Sequence, residues 1–192
     1  MTAALGARAA APKGRSLLLV VVALVVSALA ASATAVALSS RSELASSRKR
    51  VDASWARLRP ELDVRYQRLA EAGGVAREAL RADRTLFGEI DTAVSQWPGT
   101  RTARTDRQVA AAAVLEGLIA RLAATVATTP KLRASPAVTT AVQRLQATDT
   151  GPGRDAYNAA VSTYQRARGG FPRRLVAGAL GYEDRRRLEV PI

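Results

Sequence analysis

VDASWARLRPELDVRYQRL, Val51–Leu69, sets Val51, Trp55, Leu58, Leu62, Tyr66 and Leu69 at intervals of four, three, four, four and three. That spacing puts all six on one face of an α-helix, where a strand would need alternation at every second residue. Pro60 lies inside the stripe and has no N–H to donate, which predicts a kink or a local break. Gly73-Gly74 predicts the end of the segment.

Working outward, a second stripe of Ala79, Ala82, Leu86, Ile90, Ala93 and Trp97 stops at the turn signal Pro98-Gly99. A third helix is predicted to start with Thr105 or Asp106 as N-cap. Its stripe of Ala112, Leu115, Ile119, Leu122 and Val126 closes at Pro130. Ser135-Pro136 supplies an N-cap followed by proline at the first helical position, and Val138, Val142 and Leu145 share the face behind it. Thr150-Gly151-Pro152-Gly153 interrupts this last pattern before Tyr157, Val161, Tyr164 and Arg168 resume it. Four stripes with short turns predict an all-α fold, an antiparallel up-and-down four-helix bundle with coiled-coil-like packing.

Composition agrees with helices. Of 192 residues 48% are apolar but only 4% aromatic, because alanine is abundant. The chain has no Cys and no His, which excludes disulfides, thiol nucleophiles, Cys or His metal sites and histidine acid/base chemistry. Its net charge of +13 is carried by arginine, since Lys13, Lys49 and Lys131 are the only lysines. Such a balance attracts polyanions. A membrane surface is the expected one, and not nucleic acid, because the basic residues are not interleaved with the aromatics a single-strand surface needs.

The membrane expectation rests on Ser16–Leu38, which holds no charged residue and is long enough to span a bilayer core of about 30 Å. Residues 1–15 read as a disordered basic N-terminus, 16–38 as a transmembrane helix and 39–192 as the bundle. The competing reading is a secretory signal peptide with Arg8, Lys13 and Arg15 before its apolar stretch, cut at Ala31-Ser32-Ala33 to release a secreted bundle that binds envelope partners or anionic lipids. The apolar character continues past that site to Leu38, which favours an uncleaved, single-pass anchor. Arg41, Arg48, Lys49, Arg50 and Arg57 follow the segment, and by the positive-inside tendency they place the bundle in the cytoplasm. Ala23, Ser27, Ala31 and Ala35 recur every four positions, a spacing compatible with self-association through the membrane helix.

The C-terminal stretch carries a more specific pattern. Tyr157-Asn158, Phe171-Pro172, Gly178 and Gly181-Tyr182 resemble the C-terminal signature of the LemA family. There a helix with a Tyr-Asn pair ends at Phe-Pro, and an aliphatic Ala-Gly stretch closes on Gly-aromatic. The resemblance runs from Thr129 to Val190, taking in Pro130, Leu132, Ala134, Leu145-Gln146 and Thr148-Asp149. Upstream the chain diverges. Arg65-Tyr66-Gln67-Arg68-Leu69-Ala70-Glu71 stands where the family carries an Asp-Leu-Ile-Pro-Asn-Leu-Val motif, and only the Arg, with Tyr66 beside it, carries over. The resemblance implies a membrane-anchored helical bundle of the bacterial cell envelope, in a family without a settled biochemical activity.

An active site would have to rest on carboxylates, Ser, Tyr, Lys or Arg. Glu89 and Asp91 point about 200° apart on a helix and cannot act as one acid/base pair; Glu183-Asp184 reads as solvated surface. No catalytic, cofactor-binding or metal-ligating residue is expected, and no cofactor. The expected partners are the lipid bilayer, a second copy through the membrane helix, and a protein not identifiable from sequence. Arg173, Arg174, Arg185, Arg186 and Arg187 are the candidate anionic-lipid contacts. Tyr157 is expected to join the core stripe, with Asn158 at its edge bonding a neighbouring helix or loop, and Phe171-Pro172 to act as a helix stop. The sequence therefore reads as a non-enzymatic interaction or scaffold protein, held in the cell membrane by one pass.

Overall fold

The computed structural model describes residues 13–80, 85–169 and 173–189, and within them the chain is all-helical. Helix α1 is Lys13–Leu80, followed by α2 (Thr85–Gln96), a 3-10 turn (Pro98–Thr102) and α3 (Thr105–Thr128). Then come α4 (Pro130–Arg133), α5 (Pro136–Ala147), α6 (Gly151–Arg168) and α7 (Arg173–Ala179), after which residues 182–189 have no regular secondary structure. Ala82, Phe171 and Pro172 lie outside the described residues, as do residues 1–12 of the expected disordered N-terminus.

Helix α1 organises the rest. It is 68 residues long and packs against each of the other six α-helices. Its buried stripe extends the opening pattern in both directions, to Leu44 on one side and to Ala72 and Ala76 on the other. The helix is unbroken at Pro60 and does not end at Gly73-Gly74. Pro60 is exposed, as is Ala56, whose carbonyl it leaves without the usual helical donor. Gly73 serves packing instead of termination: a Cβ there would lie 3.3 Å from Ile90 Cγ2, so the bare backbone lets α2 cross closely. The second stripe is accordingly split. Ala79 belongs to α1, while α2 contributes Leu86, Phe87 and Ile90, with Trp97 just beyond its end.

Named contacts fix the directions. Trp97 donates its indole N–H to Asp63 at 2.6 Å, whereas the start of α2 follows the end of α1, so α2 runs back along α1. Helix α3 runs parallel to α1, because Thr105 bonds Asp52 at its start and Glu116 pairs with Arg65 further on. Both residues expected to cap α3 are thus drawn into tertiary contacts. Thr105 donates to Asp52, Asp106 accepts from Arg185, and no side chain caps the helix. By length and composition α3 is the one helix among the described residues apolar enough to cross a membrane, yet Leu115, Ile119 and Leu122 are core residues.

Helices α5 and α6 follow one another along α1, broken where the Thr150–Gly153 run predicts. Ser135 caps α5 by accepting from Val138 N, as its sequence suggests. At the other end of α5, Arg65 donates to the carbonyls of Leu145 at 3.4 Å and Thr148 at 2.8 Å, while its Nε lies 3.0 Å from Glu116. A guanidinium at a helix C-terminus satisfies carbonyls left without intrahelical donors and sits favourably in the helix dipole. Glu116 is 2% exposed, so its charge depends on Arg65. Truncating one member of a buried pair costs about 3–5 kcal/mol, against about 1 kcal/mol or less for an exposed pair. Glu116→Ala should therefore lower the denaturation midpoint far more than Arg121→Ala, which breaks the exposed pair with Glu89; equal midpoints would contradict this account.

Candidate functional site

The signature residues converge on the seam between α6 and the segment 182–189. Asn158 lies on α6 with both amide atoms used. Its Nδ2 donates to Leu188 O at 3.1 Å, and its Oδ1 accepts from Leu188 N at 2.9 Å. Tyr157, one position earlier, donates to Arg186 O at 2.9 Å. Two turns further along, Tyr164 donates to Glu183 O at 2.8 Å and Gln165 to Arg185 O at 3.0 Å. Four side chains of one helix thus bond the backbone of a segment that has no strand beside it, which is where its polar groups must find partners. The expectation that Tyr157 lies in the core with Asn158 at its edge holds, since Tyr157 is buried and Asn158 half-buried.

Two tail side chains point inward. Leu188 is buried in the core, and Arg185 is 5% exposed between α1 and α3. Its Nη1 lies 2.8 Å from Asp106 and its Nη2 3.4 Å from Asp52. Burial works against the charge. The hydrogen bond to Asp106 and the carboxylates of Asp106 and Asp52 outweigh it, holding the guanidinium above its ordinary pKa. Arg185 therefore anchors the tail inside the fold, a correction to its reading as a lipid contact. Arg174, Arg186 and Arg187 are exposed, and the side chain of Arg173 lies outside the description.

The remaining signature glycines differ from each other. Gly181 has φ +69°, and around it Gly181 N bonds Gly178 O while Tyr182 N bonds Ala177 O at 2.9 Å. This paired closure ends α7 with a left-handed residue, a conformation for which glycine is preferred. Gly178 has open space where a Cβ would stand, so nothing around it explains the absence of a side chain. Tyr182 lies above the guanidinium of Arg48, 6.0 Å from ring centre to Cζ.

A second polar network ties α1 to the start of α3. Trp55 donates to Gln108 Oε1 at 2.7 Å, Arg59 also donates to that oxygen, and Gln108 Nε2 bonds Ala103 O at 2.7 Å. Arg59 lies over the Trp97 ring at 4.4 Å. In both networks the named contacts join one element to another, while Arg59 Nε is buried without a hydrogen-bond partner. Glu89 and Asp91 lie on the surface, bonded to Arg121 and Arg77 respectively. Among the described residues no three acids converge on a point where a metal could be held. A groove of about 910 Å³ between α2 and α3 has Gly88, Ala93, Ala113 and Gly117 in its lining, with Glu89 paired to Arg121 at its edge. Of the association stripe, Ser27 is exposed. The side chains of Ala23, Ala31 and Ala35 lie outside the description.

Sequence reasoning passed over Arg185 as an anchor, Arg59 and Gln108. No sequence signal marked the first: between residues 183 and 189 only Arg185 and Leu188 are buried, and Arg186 and Arg187 beside them are the same residue type.

Asn158→Ala removes two hydrogen bonds to Leu188, worth about 1 kcal/mol each. Calorimetry should show Tm lower by roughly 4–8 °C for a chain of this size, and an unchanged Tm would refute the clamp. The tyrosines add a pH signature. Burial raises the phenol pKa of Tyr66, Tyr157 and Tyr164 above the ordinary 10.0. The folded chain keeps phenol protons that the unfolded chain releases above that value, so their contribution is complete below pH 10 and declines as the pH rises beyond it. Urea midpoints should be flat from neutrality to about pH 9 and fall above about pH 10, less steeply for Tyr164→Phe.

The model of the LemA family matches residues 54–191, whereas no curated protein and no solved structure matches the chain. The matched stretch begins beside Trp55 on α1 and takes in the Arg65 staple, the Tyr157-Asn158 clamp and the tail it holds. With most of its length so covered, the protein belongs to the LemA family.

Proposed function

We propose that the protein is a single-pass membrane protein whose helices form an up-and-down four-helix bundle, with α5 and α6 together counting as the fourth rod, and which acts by binding rather than catalysis. Membership of the LemA family suggests a membrane-associated bacterial protein. The observation that carries the finer reading is the continuity of α1: one helix contains the uncharged segment Ser16–Leu38 and also the spine of the core from Leu44 to Ala76. A helix shared in this way transmits the position of the anchor to the whole bundle without a hinge. Cleavage at Ala31-Ser32-Ala33 would cut through it.

The bundle then stands in the cytoplasm, with the short N-terminus outside, and works as a scaffold or accessory factor at the cell envelope. Its buried polar contacts join helix to helix and helix to tail, and its exposed faces are the surfaces offered to partner proteins. The Ala23, Ser27, Ala31 and Ala35 face is the candidate contact for a second copy within the bilayer. Expression of the full chain in bacteria tests the anchor. It should stay with membranes through alkaline carbonate extraction, with a mass corresponding to an uncut N-terminal segment. Recovery of a soluble chain beginning near Thr34 would replace this reading with that of a secreted bundle.

A further inference from the structure

Helix α7 lies at the end of the fold from which the anchor emerges. Helix α6 is antiparallel to α1: the Tyr157 ring meets that of Trp55 at 5.3 Å, and earlier on α6 Gly153 approaches Leu58 and Glu61. Arg168, the last residue of α6, stands as many residues beyond Tyr157 as Leu44 stands before Trp55, so the two lie at one level. The chain returns from α7 at the same height, where Tyr182 covers Arg48, and then runs along α6 in the opposite direction through its bonds to Tyr164, Tyr157 and Asn158. Helix α7 therefore closes the bundle on the side of Leu38, the last residue of the uncharged segment. Leu44 is only about 9 Å along the helix from that residue, comparable with the headgroup layer of about 5–8 Å.

The exposed surface of α7 has an unusual composition. Ala177 is buried, but Leu175 is 63% exposed and Leu180, just past the helix, is 44% exposed. Among the described residues beyond Leu38, the other two exposed large apolar side chains are Val64 and Val114, far along the bundle. Exposed basic residues stand at this end of the bundle: Arg41, Arg48, Lys49 and Arg50 on α1, of which Arg48 meets Tyr182, and Arg174 on α7 itself. The nearby acids Glu183 and Asp184 are paired with Arg104 and Arg168. Leucine side chains among cations, beside a membrane helix, are the makings of an interfacial element, with apolar groups at the acyl boundary and cations at the phosphates.

We propose that α7 is a membrane-seating helix, which rests on the anionic leaflet around the anchor with Leu175 and Leu180 in the headgroup and upper acyl region and Arg174 against lipid phosphate. This rests on the single-pass reading above and adds a second, peripheral contact with the same leaflet. It fixes the tilt of the bundle on the membrane and turns the α2–α3 groove toward the aqueous side.

The absence of cysteine permits a direct test. Single-cysteine variants Leu24→Cys, Leu175→Cys, Leu180→Cys and Val114→Cys of the full chain are labelled with an environment-sensitive dye. They are then reconstituted in vesicles of equal parts phosphatidylcholine and phosphatidylglycerol, with and without lipids carrying a quencher, at shallow depth for the labels at 114, 175 and 180 and deep in the acyl chain for the label at 24. Labels at 175 and 180 should be quenched at least about twofold more than the label at 114, and less so in vesicles of phosphatidylcholine alone. The Leu24 label reports the anchor independently. Quenching at 24 with 175 and 180 behaving like 114 overturns the seating helix and spares the anchor. Loss of quenching at 24 with retention at 175 and 180 overturns the anchor and leaves α7 as a peripheral lipid contact. Loss at all three removes both. Should a leucine variant fail to fold, labels at exposed Gly178 and Ala179 read the same surface.

Discussion

Every described element of the fold depends on one buried stripe along α1. From Leu44 to Ala76 it presents Val51, Trp55, Leu58, Leu62, Tyr66, Leu69 and Ala72 to the core, and the other helices cover it from several sides. None of the shorter helices can bury its own apolar face without α1. The mean gain from burial is of order 25 cal/mol per Å² and does not depend on direction, so the stripe alone leaves rotation and register loose. Register comes from polar contacts that allow few arrangements: Arg65 at the end of α5, Gln108 between Trp55 and Arg59, and Arg185 between Asp52 and Asp106.

Those contacts change the meaning of the arginine excess. Part of it is internal. Arg59, Arg65 and Arg185 each bridge two or more elements through a planar group with several donors, which an ammonium could not reproduce. Arg41, Arg48, Arg50, Arg174, Arg186 and Arg187 are exposed and supply a field toward anionic surfaces. A lysine in place of Arg65 could pair with Glu116 or reach a carbonyl of α5, but it could not span both with the same geometry.

Helical periodicity was legible because burial follows it: Trp55, Leu58, Ile119, Val142 and Val161 all face the core as their spacing requires. The break before α6 and the Ser135 cap were legible from local backbone chemistry. Pro60 did not break the helix and Gly73 did not end it, since both are normally read as interruptions of an isolated helix and here lie in one packed against other helices along its length. Thr105 and Asp106 misled because tertiary partners outbid the local cap. In the seam, Tyr157 and Asn158 were legible as a pair, but the partner backbone at residues 183–189 was not, because a side chain that bonds main-chain groups leaves no complementary residue type to find. Arg185 looked like its exposed neighbours Arg186 and Arg187 for the same reason; only the fold separates them.

The central claim is the proposed one, that α1 carries the uncharged segment Ser16–Leu38 from the bilayer into the core as one unbroken helix. Spin labels at Leu24 and Ala53, both exposed on α1, span the junction between the two parts. Pulsed dipolar spectroscopy on the full chain in lipid bilayers measures their separation. The account predicts a single narrow distribution centred at about 44 Å, the length of that many residues at about 1.5 Å each. A broad distribution, or one centred well below about 35 Å, would mean that the anchor and the bundle are joined by a hinge and would contradict it.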